Sequence, residues 1–261
     1  MPSLITLTTD FGTADPFVGI MKGVILSIAP TAQIVDITHE IEPQNIAQAA
    51  LTLEAAHPYF PKSTVHLVVV DPGVGSERRA IAVKNKSATF VGPDNGVLTP
   101  VIDSASRIYE LHNKKYFLPE ISFTFHGRDV FAPATAWIAQ GTTLSKMGRK
   151  VTDPKILEFP QPEVKKNAIT GEIIHIDRFG NCISNISSDL LNATFQLNAA
   201  LTLKISRTRI PDFSSHYSQC KKGDIGCLIN SCGKVEIFCR DGNAASKLKC
   251  RTGTSLTIKK D

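Results

Sequence analysis

Four places in this chain set residues with chemical capability where an apolar run stops. The first is Val68-Val69-Val70-Asp71-Pro72-Gly73-Val74-Gly75-Ser76-Glu77-Arg78-Arg79. A carboxylate follows a β-branched run, Pro72 ends the ladder, and the two glycines permit a turn that brings Arg78 and Arg79 back toward Asp71. The second is His126, between Phe125 and Gly127. A carboxylate or a neutral imidazole can accept a proton, and a permanently charged guanidinium can stabilise developing negative charge beside it. The third is Asp10, which follows Leu4 to Thr8 and can accept both hydroxyls of a ribose. The fourth is Asp177-Arg178-Phe179-Gly180-Asn181, where Phe179 can stack on a base and Asn181 can pair with an adenine edge.

Each cluster also has a plain structural reading. Asp71 can cap a strand beside solvated arginines, Asp10 can form an Asx-turn onto Gly12, and His126 can be a structural histidine. The fourth cluster can be a polar turn with one buried aromatic.

The elements needed to position these residues follow from periodicity. Leu4–Thr8, Gln33–Ile37, Thr64–Val70, Ala80–Val83 and Thr89–Val91 read as strands. The third of these is expected to be buried on both faces. Pro16–Ala29 reads as a helix with Asp15 as N-cap and Pro16 at its first position; Ile46–Ala56 is a second. Val130–Gln140 is a third, introduced by His126-Gly127-Arg128-Asp129 with Asp129 as N-cap. Strand–helix alternation implies an α/β domain with a parallel sheet covered on both faces, and ligands of such sheets bind beyond the strand carboxyl ends.

The pattern changes after Lys150. Residues 151–167 contain Pro154, Pro160 and Pro162 with little periodicity and read as a linker between domains at 1–150 and 168–261. Beyond it come short β-rich runs (Glu172–Asp177, Leu201–Ser206, Gly226–Asn230, Lys234–Cys239, Ser255–Lys259), as in a small antiparallel barrel or sandwich.

Composition narrows the class. The 261 residues are 42% hydrophobic and 20% charged, an ordinary globular balance. The net charge of +5 resides beyond Lys150, where 16 Lys+Arg face 11 Asp+Glu. Those cations are scattered without interleaved aromatics, so a solvated face is expected and not a nucleic-acid surface. No apolar run reaches bilayer length and no basic-then-apolar leader opens the chain, so a cytoplasmic protein is expected. Six cysteines, all from Cys182 onward, lack zinc spacing and are expected to be buried reduced thiols.

Taken in order, Thr9-Asp10-Phe11-Gly12-Thr13-Ala14-Asp15, the Asp71 stretch, Gly92-Pro93-Asp94-Asn95-Gly96, Phe125-His126-Gly127-Arg128-Asp129 and Asp177-Arg178-Phe179-Gly180-Asn181 resemble the S-adenosylmethionine hydroxide adenosyltransferases, relatives of the fluorinase and chlorinase. The resemblance implies an N-terminal Rossmann-like three-layer domain with a mostly parallel sheet, a smaller C-terminal antiparallel β-barrel, and a homotrimer with the substrate at the subunit interface. It implies hydrolysis of S-adenosylmethionine to adenosine and methionine, with Asp71, Arg78 and His126 catalytic; Arg78 is preferred to Arg79 by motif spacing. By the same resemblance Asp10 holds the ribose, Asn181 and Phe179 address the adenine, Asp177 and Ser231 hold the methionine end, and Glu236 and Ala244 complete the substrate pocket. No metal or cofactor is implied, S-adenosylmethionine being the substrate. Two alternatives stand beside it: a halide-dependent adenosyltransferase of the same superfamily, and a non-catalytic adenosine or S-adenosylmethionine binding protein.

Overall fold

The structure, a computed structural model, describes residues 3–195 and 200–260. The chain divides into two compact units, Met1–Leu157 and Glu158–Asp261.

The first unit is built on a sheet of β1 (Leu4–Thr9), β2 (Gln33–Thr38), β3 (Val65–Val69), β4 (Ala80–Lys84), β5 (Thr89–Pro93) and β6 (Arg107–Glu110). Their order is β2-β1-β3-β5-β4-β6. The β1, β2, β3 and β5 pairings are parallel, while β4 runs antiparallel to both β5 and β6. Strand β6 was not foreseeable from pattern, because only Ile108 of its four residues is buried.

Alternation along β3 splits its side chains between two cores. Val65, Leu67 and Val69 join Met21 and Ile25 of α1 (Phe17–Ile28) and Ala132, Ala134 and Ala136 of α3 (Ala132–Ala139). The residues of opposite parity, Val68 and Val70, join Leu53 of α2 (Ile46–Ala56) with Ile81, Val83 and Phe90. A sheet sandwiched in this way forces a near-continuous apolar strand, and every residue of β3 is buried.

Two helix starts differ from expectation. Pro16, not Asp15, is the N-cap of α1: its φ/ψ of −75°/0° is not helical, its carbonyl accepts from Ile20 N at 2.9 Å, and no side chain caps the end. Asp129 is not an N-cap either. It lies within a π-helical turn, Gly127–Phe131, that precedes α3, and it is fully buried. Its carboxylate accepts from Ser122 N at 2.8 Å and pairs with Arg128. A buried carboxylate inside an irregular turn is a tertiary feature, and the local sequence of an N-cap is indistinguishable from it.

The second unit is an antiparallel sheet with the path β11-β10-β14-β8-β9-β13-β12. Its strands are β8 (Ala168–Ile176), β9 (Cys182–Ser187), β10 (Leu201–Ile205), β11 (Thr208–Pro211), β12 (Ile225–Ile229), β13 (Lys234–Cys239) and β14 (Ser255–Lys260). Ser214 N donates to Cys227 O at 2.8 Å, so the chain beyond β11 meets β12 and the sheet nearly closes into a barrel. Its interior holds Ile169, Ile173, Ile186, Leu203, Ile237 and Ile258. Cys182, Cys227, Cys239 and Cys250 are buried there as free thiols; Cys220 is half-buried and Cys232 exposed. Burial pushes the Cys182 and Cys227 thiols up to about 12, so they behave as small apolar groups.

Within the stretch expected to be a linker, β7 (Glu163–Lys165) forms a hairpin with β8. Upstream of it the chain is tied to the first unit, with Leu157 N donating to Thr99 Oγ1 at 2.8 Å. Gly96, at φ +98°, leaves room for Leu157, whose Cβ would lie 3.0 Å from any added Cβ. Among the described residues no helix is long and apolar enough to cross a membrane.

Candidate active site

Asp71 stands just beyond the carboxyl end of β3, where the parallel strands of the first unit also end. The turn after it folds back through Val74 N to Asp71 O (3.2 Å) and Ser76 N to Gly73 O (3.1 Å), which returns Arg78 to the carboxylate seven residues behind it. Gly75, at φ +78°, is sterically required: a Cβ there would lie 2.3 Å from Phe123 O. That approach seats the turn against the segment leading to His126.

Arg78 bridges two partners. Its Nε donates to Asp71 Oδ1 and Oδ2, both at 2.9 Å, and its Nη2 to Oδ2 at 2.5 Å. The same Nη2 lies 2.8 Å from His126 Nδ1. The guanidinium also sits 5.0 Å from the centroid of the buried Phe131 ring. The arginine and aspartate side chains are 6% and 5% exposed. A guanidinium has no acceptor, so His126 Nδ1 must be the acceptor; the ring is then neutral and carries its proton on Nε2. Burial, followed by the adjacent Arg78 charge, pulls the His126 pKa below its ordinary value, which favours that neutral form.

Arg79 turns to other partners. It donates through Nε to Asp94 Oδ2 (2.7 Å), through Nη1 to Asp153 Oδ1 (2.8 Å) and through Nη2 to Asp153 O (2.7 Å). Arg78 and Arg79 therefore have separate partners. The Gly92–Gly96 motif clamps both ends of this turn: Asn95 Nδ2 donates to Val70 O at 2.9 Å, and Asp94 N to Arg79 O at 2.9 Å.

Asp10 follows β1, and its loop neighbours the His126 loop through Phe11 and Phe125, whose ring centroids are 5.9 Å apart. The Asx-turn onto Gly12 is absent. Gly12 N donates instead to His39 O at 2.8 Å, and Asp10 Oδ2 accepts from Gln44 N at 2.8 Å. Gln44 holds a left-handed φ of +66° to make that bond, a contact 34 residues away in sequence with no local signal.

In the second unit the Asp177 cluster forms a tight turn between β8 and β9. Asp177 Oδ1 accepts from Phe179 N and Asn181 N, and Oδ2 from Asn181 Nδ2, all at 2.9 Å. Asn181 is buried, whereas Phe179 is 75% exposed, so the aromatic of this turn is not the buried one of the plain structural reading. Ala244 begins a short helix, Ala244–Leu248, beside this turn: Ala245 N donates to Gly180 O at 2.9 Å, and Gly180 leaves room for Asn243. Glu236 is buried on β13, which pairs with β9. It accepts from Tyr217 Oη at 2.9 Å and Asn230 Nδ2 at 3.2 Å, and burial raises its pKa. Ser231 is exposed, next to Asn230. The Asp177 charge adds to that rise in the Glu236 pKa. Sequence reasoning missed Tyr217 and Asn230, whose only signal is that both side chains meet Glu236.

Among the described residues no cluster of three or more His, Cys, Asp or Glu is placed to hold a metal ion.

Both halves of the chain match models of one known family. Residues 5–148 match the family model of the SAM hydroxide adenosyltransferase N-terminal domain, and residues 171–257 that of the C-terminal domain. The chain is 40% identical to the (R)-S-adenosyl-L-methionine hydrolase of Methanocaldococcus jannaschii, covering 94% of this chain and 91% of the relative. It is 35% identical to the protein of that name from Salinispora tropica, covering 97% of each. A fluorinase of an Actinoplanes species is 28% identical, with 98% of this chain and 97% of the relative covered. A crystal structure of an uncharacterized conserved protein from Thermotoga maritima superposes with a TM-score of 0.91 at 36% identity, covering 98% of this chain and all of that one.

Proposed function

The chain belongs to the SAM hydroxide adenosyltransferase family, and we propose that it hydrolyses S-adenosyl-L-methionine to adenosine and L-methionine. The observation that carries the reading is the contact of one buried guanidinium with both Asp71 and His126. Binding a nucleoside needs no such set; activating water does.

Water attacks the 5′ carbon in line with the sulfonium. The C–O bond forms from a water lone pair, the C–S bond breaks, and its electrons neutralise the sulfonium to the thioether of methionine. That leaving group needs neither a general acid nor a metal. The difficulty lies in the nucleophile, because free water has a pKa of about 15.7. Arg78 supplies a fixed positive charge that stabilises hydroxide character. His126, with its Nδ1 engaged by Arg78, offers Nε2–H to orient the water, and the Asp71 carboxylate, with lone pairs to spare, takes the proton. Alignment of water, carbon and sulfur can supply about 7–11 kcal/mol of the barrier.

Asp10 binds the ribose hydroxyls, Phe179 and Asn181 the adenine, and Asp177, Ser231, Glu236 and Ala244 complete the substrate contacts. What supports Asp10 is its place just beyond β1, with Oδ2 oriented by Gln44 N; what supports Phe179 is its exposed ring. The reading extends to a homotrimer whose site is shared between subunits. In the relatives' names the methionine is already specified as L, so the (R) label denotes the sulfonium centre, and the substrate here is the same sulfur epimer.

Incubation with a mixture of sulfur epimers, following adenosine and methionine by chromatography, tests the reading. The (R) epimer is consumed with equimolar adenosine. Adenosine binding without turnover would make the chain a binding protein. Formation of a 5′-halo-5′-deoxyadenosine in chloride or fluoride would make it a halide enzyme, which the Asp71 carboxylate opposes by repelling an anion. A single mass of three chains in native sedimentation tests the trimer.

A further inference from the structure

The backbone on either side of Asp10 is held by a chain of side chains that runs from Thr9 through His39 and Asp36 to Lys22. Thr9 closes β1 and is fully buried; His39, in the loop after β2, is 5% exposed. Thr9 Oγ1 lies 2.8 Å from His39 Nδ1, and Phe11 N donates to the same hydroxyl at 3.3 Å. On its far side His39 Nε2 lies 3.1 Å from Asp36 Oδ1, a bent contact that falls short of a regular hydrogen bond, while Asp36 Oδ2 accepts from Lys22 Nζ at 2.5 Å. A carboxylate only accepts, so the His39 proton belongs on Nε2, Nδ1 is the acceptor, and the Thr9 hydroxyl donates to it. The hydroxyl then has its lone pairs free for Phe11 N. The residues before and after Asp10 are thereby fixed through a single oxygen.

The same loop grips Asp10 from outside. His39 O accepts from Gly12 N at 2.8 Å, Ile41 N donates to Thr9 O at 3.4 Å, and Gln44 N donates to Asp10 Oδ2 at 2.8 Å. A carboxylate that must meet two vicinal hydroxyls needs a fixed orientation, and a free strand end does not provide one.

Resting on the reading of Asp10 as the ribose ligand, we infer that His39 is a positioning residue for nucleoside recognition, acting through the Thr9 hydroxyl on Asp10 and not on the reacting water. A purely architectural histidine would affect melting alone. A positioning one is energetically coupled to Asp10 and affects nucleoside affinity while leaving the Asp71–Arg78–His126 set intact.

Calorimetric titration of the full-length protein with adenosine, alongside steady-state kinetics with S-adenosylmethionine, separates these roles. His39→Ala and Thr9→Val each weaken adenosine by about tenfold, the loss of roughly one hydrogen bond's worth of orientation. KM rises with them while kcat at saturation stays within about threefold. His39→Asn, which returns an acceptor to the Nδ1 position, restores most of the affinity. In an Asp10→Ala background neither substitution weakens adenosine further, because the group being positioned is gone. Should His39→Ala fail to fold, Thr9→Val carries the test, since it removes one hydroxyl at constant shape. Unchanged affinity in the single variants, or full additivity with Asp10→Ala, overturns the inference. A wild-type protein that neither binds adenosine nor consumes S-adenosylmethionine overturns the functional reading first, and this one with it.

Discussion

Replacing Arg78 by lysine keeps the charge and removes the fork. In the wild type one Nη2 serves Asp71 and His126 at 2.5 and 2.8 Å, while Nε secures both Asp71 oxygens at 2.9 Å. A lysine ammonium is a single point on a flexible stem. It can satisfy Asp71 and then leaves His126 Nδ1 without its donor. Loss of one preorganised donor in a closed site costs about 10²–10³ in kcat, or roughly 2.7–4 kcal/mol of barrier. Stability should fall less, by about 1–2 kcal/mol, because the buried carboxylate retains a counter-charge. Arg78→Met differs in the second respect. Asp71, 5% exposed, is then left without a cation, and breaking a buried pair from one side costs about 3–5 kcal/mol. Asp71→Asn in the Met background should recover part of that loss without recovering turnover. Adenosine release at saturating substrate and calorimetric melting are the two measurements. A lysine variant within threefold of wild-type kcat would show that the fork is not required. A Met variant melting with the Lys variant would show that the pair is not sealed from water.

Three further outcomes are expected. His126→Ala lowers turnover by roughly 10²–10⁴-fold with little change in adenosine affinity; in the wild type, rate falls only as pH drops below about 6.5, because burial and Arg78 lower the His126 pKa and the neutral ring is the working form. An acid limb centred above that value, or water-derived ¹⁸O found anywhere but the 5′ position of adenosine, would reject this mechanism. A fragment ending at Leu157 keeps the Arg79–Asp153 and Thr99–Leu157 contacts and should melt above one ending at Lys150, while neither hydrolyses S-adenosylmethionine; turnover by either would remove the second unit from the site. His66, 1% exposed with Nδ1 on Thr6 Oγ1 at 2.8 Å, has its pKa lowered to about 4 by burial. The unfolded chain therefore binds this proton first, and stability should decline by about 3 kcal/mol as pH falls from 6.5 to 4, then level off; His66→Gln should flatten that decline in acid titrations followed by chemical denaturation.

Much of this protein was legible in its sequence where the physics is local. Apolar alternation and Gly/Pro punctuation act over a few residues, so β1, β3, α2 and β13 appear where their patterns place them. The position of Asp71 at a strand end follows from Val70 stopping and Pro72 refusing a ladder bond. The family resemblance came from the same local motifs. Side-chain pairing is not local. Which arginine meets Asp71 depends on Phe131 beneath it and His126 across it, residues whose placement α3 and the π-helical turn determine. Spacing preferred Arg78 to Arg79 but could not name the partners of either; Asp94 and Asp153 pair with Arg79 where the 153–157 stretch docks. Gln44 reaches Asp10, and His39 reaches Thr9, because β1 and β2 are adjacent parallel strands whose ends lie side by side. The sequence by itself determined the residue types and the strand ends that present them. Only the tertiary structure decided which donors and acceptors meet, because a hydrogen bond is made or lost within a few tenths of an ångström and no local pattern fixes a distance across 30 to 50 residues.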